Sequence, residues 1–114
     1  MHDTIQRIRK ARQGRVTVGK YTFLFKRPTD VDAGRLYRTN ATIFDIAREF
    51  VIGWENVLDS DIALNGADEP VKFDGELWQE WLSDNPDFWV PIRDAVMDAY
   101  EKHVTKRADA EKNS

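Results

Sequence analysis

One segment near the N-terminus constrains the fold more than any other. Apolar and polar residues alternate there on both sides of a Gly19-Lys20 pair; the apolar positions are Val16, Val18, Tyr21, Phe23 and Phe25. This alternation is typical of strands with one buried face, and glycine at the first of two turn positions indicates a type II′ hairpin. Pro28 cannot donate to a β-ladder, so the second strand ends before it. A lone hairpin is marginal in water, so we expect its aromatic face to pack on helices or on a second subunit.

Capping signals after the hairpin predict two helices in succession. Thr29 is a suitable N-cap for the first, which we expect to run to about Arg38. Thr39 and Asn40 can cap the second, whose apolar stripe is expected to continue as helix to Trp54.

Two further helices are predicted in the second half of the chain. Residues 55–73 are rich in turn formers and read as irregular. Asp74 caps a short helix, and Asn85-Pro86 starts a last helix that runs to about Val104. The predicted class is α+β and predominantly helical, with an N-terminal β-hairpin followed by about four helices.

The domain organisation follows from length and local composition. The chain has 114 residues, which fits one domain. Residues 1–14 are expected to be a basic flexible arm in which Ile5 and Ile8 allow at most a short amphipathic turn. Residues 15–104 would be a single α+β domain, and residues 105–114 a charged tail that frays.

Several function classes receive no support from composition. The absence of cysteine excludes disulfides, thiolate metal sites and cysteine nucleophiles, and fits the cytosol. No apolar run approaches the roughly 20 residues of a membrane helix, and the first residues lack the pattern of a signal peptide.

No residue pattern indicates catalysis. The two histidines, His2 and His103, stand far apart, and the glycines form no phosphate-binding loop. Residues 59–70 begin like a calcium loop, but Leu64 and Pro70 occupy the places that require glycine and glutamate. We therefore expect a protein that is not an enzyme, with no catalytic, cofactor-binding or metal-binding residues.

Charge is divided unevenly along the chain. Residues 1–40 hold ten Lys/Arg and three Asp/Glu, a net +7, and residues 41–114 hold seven Lys/Arg and seventeen Asp/Glu, a net −10. The two parts could neutralise each other, or the five cations within residues 7–15 could bind nucleic acid phosphates. The second interpretation is weaker because no aromatic residue lies among those cations to stack on bases.

Four aromatic residues are candidates for a protein-binding surface: Trp78, Trp81, Phe88 and Trp89. They lie too close together for one short helix to bury all of them on one side, and exposed tryptophan is typical of binding hot spots. The alternative is that all four belong to the core.

Five segments, in this order, resemble small tail assembly chaperones from the tail gene clusters of phages and prophages. They are YTFLFKRPTD at 21–30, FVIGWENV at 50–57, EPVKFD at 69–74, WQEWLSDNPD at 78–87 and AYEKH at 99–103. The similarity spans roughly residues 16–104 and includes no catalytic signature.

The resemblance implies a role in the cytoplasm of a bacterial host. Such chaperones bind the long helical tape measure protein, keep it soluble, and leave as tail-tube subunits polymerise around it. They are helix-rich, oligomerise, and occur in short and frameshift-extended forms, of which this chain corresponds to the short one. The alternatives are a phage protein that binds nucleic acid through the basic arm, and a structural tail or connector subunit.

Overall fold

The computed structural model describes residues 2–113 and has the predicted α+β, predominantly helical class. Its elements, in chain order, are α1 (Asp3–Ala11), β1 (Gln13–Val18), β2 (Tyr21–Lys26), α2 (Asp30–Arg38), α3 (Ile43–Phe50), β3 (Val51–Glu55), α4 (Asp59–Ile62), α5 (Gly75–Ser83), a 3-10 turn (Pro86–Phe88) and α6 (Trp89–Lys112). The three strands form one antiparallel sheet in the order β1-β2-β3. No helix within the described residues is long and apolar enough to cross a membrane.

The predicted hairpin is confirmed. Strands β1 and β2 pair in a register that places Val18 opposite Tyr21, which leaves Gly19 and Lys20 as a two-residue turn. Gly19 has a φ of +61°, a left-handed conformation that glycine adopts without strain. The aromatic face packs on the helices, as predicted: Phe23 is fully buried and Phe25 nearly so.

The predicted caps of α2 and α5 are also confirmed. The Thr29 hydroxyl accepts from the Asp32 amide at 3.1 Å, and the Asp32 carboxylate accepts from the Thr29 amide at 2.9 Å. Asp74 accepts from the Leu77 amide at 3.0 Å. The start of α3 is two residues later than predicted: Thr42 is its cap, because the left-handed Asn40 separates it from α2.

The prediction that the second helix continues to Trp54 is wrong. Helix α3 ends at Phe50, and the chain becomes strand β3, which pairs with β2 so that Trp54 lies opposite Phe23. Val51 and Ile52 are β-branched and Gly53 is a poor helix former, so the local preference for helix is weak. The open edge of β2 supplies backbone partners that a helix would not use.

Both ends of the chain are more helical than predicted. The arm expected at residues 1–14 contains α1, capped by His2, whose imidazole accepts from the Thr4 amide at 3.1 Å; no α1 residue is buried. At the other end α6 continues to Lys112 instead of fraying after Val104. Pro91 lies in its first turn, where proline is tolerated, and no proline or glycine follows within the helix.

A close approach of two strands explains one glycine. Gly14 in β1 lies opposite Phe25 in β2, and a Cβ at position 14 would come within 2.6 Å of the Phe25 ring. Glycine at position 14 therefore leaves room for the Phe25 ring to lie against β1.

An ion pair ties the hairpin tip to α4. Lys20 Nζ lies 2.8 Å from the Asp61 carboxylate, which also accepts from the Leu58 amide at 2.9 Å. The hydrogen bond from Lys20 is the largest cause that lowers the pKa of Asp61, and the same bond raises the pKa of Lys20.

We predict that Phe23→Ala costs about 3–5 kcal/mol of unfolding free energy, because Phe23 is 0% exposed and contacts the aromatic core. Urea unfolding followed by circular dichroism measures it. The control Tyr37→Ala, at a side chain 88% exposed, should change stability by less than about 0.5 kcal/mol. A loss below about 1 kcal/mol for Phe23→Ala would contradict the burial of this face.

We predict that Asp61→Asn lowers stability at neutral pH by about 1 kcal/mol, since its partner Lys20 is largely exposed. The folded-state pKa of Asp61 is lowered, so its carboxylate stabilises the fold above the unfolded-state pKa. That contribution disappears as the pH falls through the folded-state pKa, so the two proteins should converge in acid. Urea titrations across pH 2–7 test this, with Glu101→Gln as a control of equal charge change. A difference that does not shrink in acid would exclude the ion pair as its source.

Candidate functional site

Three of the four candidate binding residues lie in the core, so the prediction that they form a surface is wrong for them. Trp78 is 1% exposed, Trp81 5% and Phe88 8%. The Trp78 ring packs 4.9 Å from Phe23, and its indole N–H donates to the Ala47 carbonyl at 3.3 Å. From the sequence, only one side of α5 was expected to bury these rings. In the fold, the sheet and α6 also pack around them.

Trp89, the fourth candidate, is partly buried. Its ring meets Phe44 edge-on at 5.2 Å, and its indole N–H donates to the Leu82 carbonyl at 2.7 Å. These contacts join the start of α6 to α3 and to the end of α5. Trp89 therefore holds helices together, although part of its ring reaches the surface beside Val90, which is 45% exposed.

The segment that begins like a calcium loop satisfies its own polar groups. Asp59 accepts from the Ala67 amide at 3.0 Å, and the Ser60 hydroxyl bonds to Asp68 at 2.9 Å. Gly66 lies against the Asp59 backbone, where a Cβ would come within 2.6 Å of the carbonyl oxygen. Within residues 2–113, no group of three or more His, Asp or Glu side chains is arranged to hold a metal ion.

A surface groove between α2, α3 and α6 was not foreseen from the sequence. It encloses about 680 Å³, and Leu36, Ile46 and Met97 contribute its largest apolar side chains. Tyr37 also lines it and is 88% exposed. The sequence gives little indication of this groove, because α2 is short and the lining combines residues of three elements that are distant in the chain.

Ion pairs hold the two shorter walls of this groove together. Arg35 of α2 bonds to Glu49 of α3 through both guanidinium nitrogens, and also to Asp32 at 3.3 Å. Glu49 is the main cause that raises the pKa of Arg35. This contact links α2 to α3 beside the groove.

The α6 side of the groove has an acidic margin. Met97 also lines a shallow surface that continues along α6 past Asp94, Asp98 and Glu101. Arg93 partly compensates this charge through its bond to Asp94 at 2.7 Å, and Lys102 lies 2.9 Å from Asp98. The groove is thus apolar inside and net negative along one side.

We predict that Trp78→Ala destabilises the fold by about 3–5 kcal/mol, whereas Trp89→Ala costs less, about 1–3 kcal/mol, since its ring is only partly buried. Urea unfolding followed by far-ultraviolet circular dichroism separates the two. Equal losses would show that Trp89 is as much a core residue as Trp78.

No protein-family model matches this chain, and neither a curated protein nor a solved structure shows significant similarity to it.

Proposed function

We propose that this chain is a non-catalytic tail assembly chaperone that binds an amphipathic helical segment of a tape measure protein in the cytoplasm of a bacterial host. The proposal joins the resemblance of residues 16–104 to such chaperones with one observation, the largely apolar groove between α2, α3 and α6.

The groove has the chemistry that an amphipathic helix requires. Leu36, Ile46 and Met97 offer apolar contacts for side chains spaced at i, i+3, i+4 and i+7 along a client helix. Tyr37 offers a large aromatic contact at little cost in conformational entropy, and tyrosine is enriched among binding hot spots. The flexible thioether of Met97 can adjust to different side chains, which suits a chaperone that meets a long client.

Charge favours one orientation and one kind of client. Asp94, Asp98 and Glu101 lie along the α6 margin, so a client helix with Lys or Arg beside its apolar stripe is favoured there. These exposed pairs affect the association rate and the choice of partner more than the final affinity.

The other two interpretations remain as alternative outcomes. A protein that binds nucleic acid through residues 1–14 would bind duplex DNA with a steep salt dependence. A structural tail or connector subunit would be present in purified particles. Self-association, which the resemblance also implies, is compatible with each of the three.

We predict that the chain co-purifies with a segment of the tape measure protein encoded in the same tail gene cluster, and that Tyr37→Ala weakens this complex about 30-fold. Co-expression with overlapping tape measure segments identifies the client, and calorimetry measures its affinity. Met97→Glu should weaken the complex as well, because it places a charge on the apolar lining.

The matched control is Leu64→Ala, at an apolar side chain that is 94% exposed and lies in the segment after α4. It should leave the affinity unchanged. Equal affinity in the wild type and Tyr37→Ala would remove the groove from the proposal. A wild-type chain that binds none of the tape measure segments would overturn the chaperone assignment itself.

A further inference from the structure

A second hollow has a lining that the proposed client does not use. It encloses about 360 Å³ where α1 leads into β1, beside the end of β2 and the second half of α6. Five basic side chains line it: Arg12, Arg27, Lys102, His103 and Lys106. No aspartate or glutamate is part of this lining, although the chain as a whole carries a net charge of −3.

Most of these cations lack a carboxylate partner. Lys102 pairs with Asp98, but Arg12, Arg27 and Lys106 make no ion pair within residues 2–113. Arg27 donates instead to the neighbouring Pro28 carbonyl at 2.8 Å. Their charges therefore add up in one concave place, where low-dielectric walls strengthen the potential.

Arg12 gives an independent sign of a missing acceptor. Its Nε is buried and has no hydrogen-bond partner in the described part of the chain. A buried donor without a partner is costly, and native proteins rarely retain one without a reason. Because Arg12 also lines the hollow, an anion bound there would offset the charge of a guanidinium that is incompletely hydrogen-bonded.

One carboxylate close to the hollow is already engaged. Asp30 accepts from the Tyr100 hydroxyl at 2.8 Å and pairs with Arg107. These two bonds lower the pKa of Asp30 and hold its carboxylate, although its charge still acts on Arg27 and His103.

The cations of the hollow act on one another, and Asp30 offsets them only in part. Burial and the charge of Arg12 lower the pKa of Arg27. Partial burial lowers the pKa of His103, and the charges of Arg27 and Arg107 lower it further than Asp30 can restore it. His103 is thus a built-in reporter of any negative charge that enters the hollow.

We propose that this hollow binds a phosphate group, with Arg12 and Arg27 as its principal ligands, Lys106 adding charge, and the His103 imidazole beside them. Arginine presents a planar fork of donors that matches phosphate oxygens, and several converging cations suit an anion that carries more than one charge. The phosphate comes either from a small free anion or from the backbone of a nucleic acid, two sources that share this chemistry.

The test uses the full chain and inorganic phosphate, and follows the His103 imidazole signals by NMR at constant ionic strength. We expect a saturable shift at about millimolar phosphate and a rise in the pKa of His103, because a bound anion stabilises the imidazolium. His2, the other imidazole of the chain, caps α1 and is the internal control. Shifts that are equal at both histidines, or that do not saturate, would overturn the proposal.

Two variants locate the site. Arg12→Gln should weaken phosphate binding about tenfold or more, and so should Lys106→Gln, whose exposed position spares the fold. Arg38→Gln removes the same charge from the surface of α2 and should leave the affinity unchanged. Equal weakening in all three variants would mean that net charge alone attracts phosphate, which contradicts a built site.

A second arm identifies the source of the phosphate. A short duplex DNA is titrated in place of the free ion, at matched phosphate concentration. Saturation of the His103 shift by the duplex at lower phosphate concentration assigns the site to a nucleic acid backbone. Saturation by the free ion alone assigns it to a small phosphate anion, and no response to either overturns the proposal.

Discussion

The packing of Phe23 on the aromatic cluster is the contact on which the rest of the structure depends. Its ring lies 4.9 Å from Trp78 and 5.4 Å from Phe88, so one strand residue contacts both α5 and the turn before α6. A hairpin of this length is marginal alone, and α5 is too short to bury two tryptophans by itself. Each element therefore supplies the apolar surface that the other lacks.

The N-terminal caps of α2 and α5 and the hairpin could be predicted because their signals are local. Thr29, Asp74 and Gly19 act through hydrogen bonds or dihedral angles within a few residues, which the sequence displays directly. Strand β3 could not be predicted in this way. Its spacing from Phe50 to Trp54 fits a helical stripe, and the preference for strand arises from the free edge of β2, a partner some thirty residues away in the chain.

The same limit applies to both candidate surfaces. The composition of the chain identified the aromatic residues as large apolar anchors. Whether they are buried, however, depends on how many elements pack around them, and Trp78 is enclosed by the sheet and the helices together. The groove beside Tyr37 and the hollow beside Arg12 each combine three or more elements that are distant in sequence. A periodic pattern within one segment carries no information about which distant segments will lie beside it in the fold.

Several basic residues in the first part of the chain form ion pairs with acidic residues in the second part. Arg15 lies 3.1 Å from Glu55 and Lys20 is paired with Asp61, so basic residues of the first part do meet acids of the second. These pairs support the interpretation in which the two parts neutralise each other.

This neutralisation of basic by acidic residues is incomplete where the end of β2 lies beside the second half of α6. Arg12 and Arg27 lie beside the basic side chains of α6 there, and a nearby acid, Asp30, is held by Tyr100 and Arg107. Clustering like charges raises the free energy of the fold. An anion that binds there lowers this electrostatic free energy. The unpaired cations, and not the total charge, are therefore the part of the uneven charge distribution that bears on function.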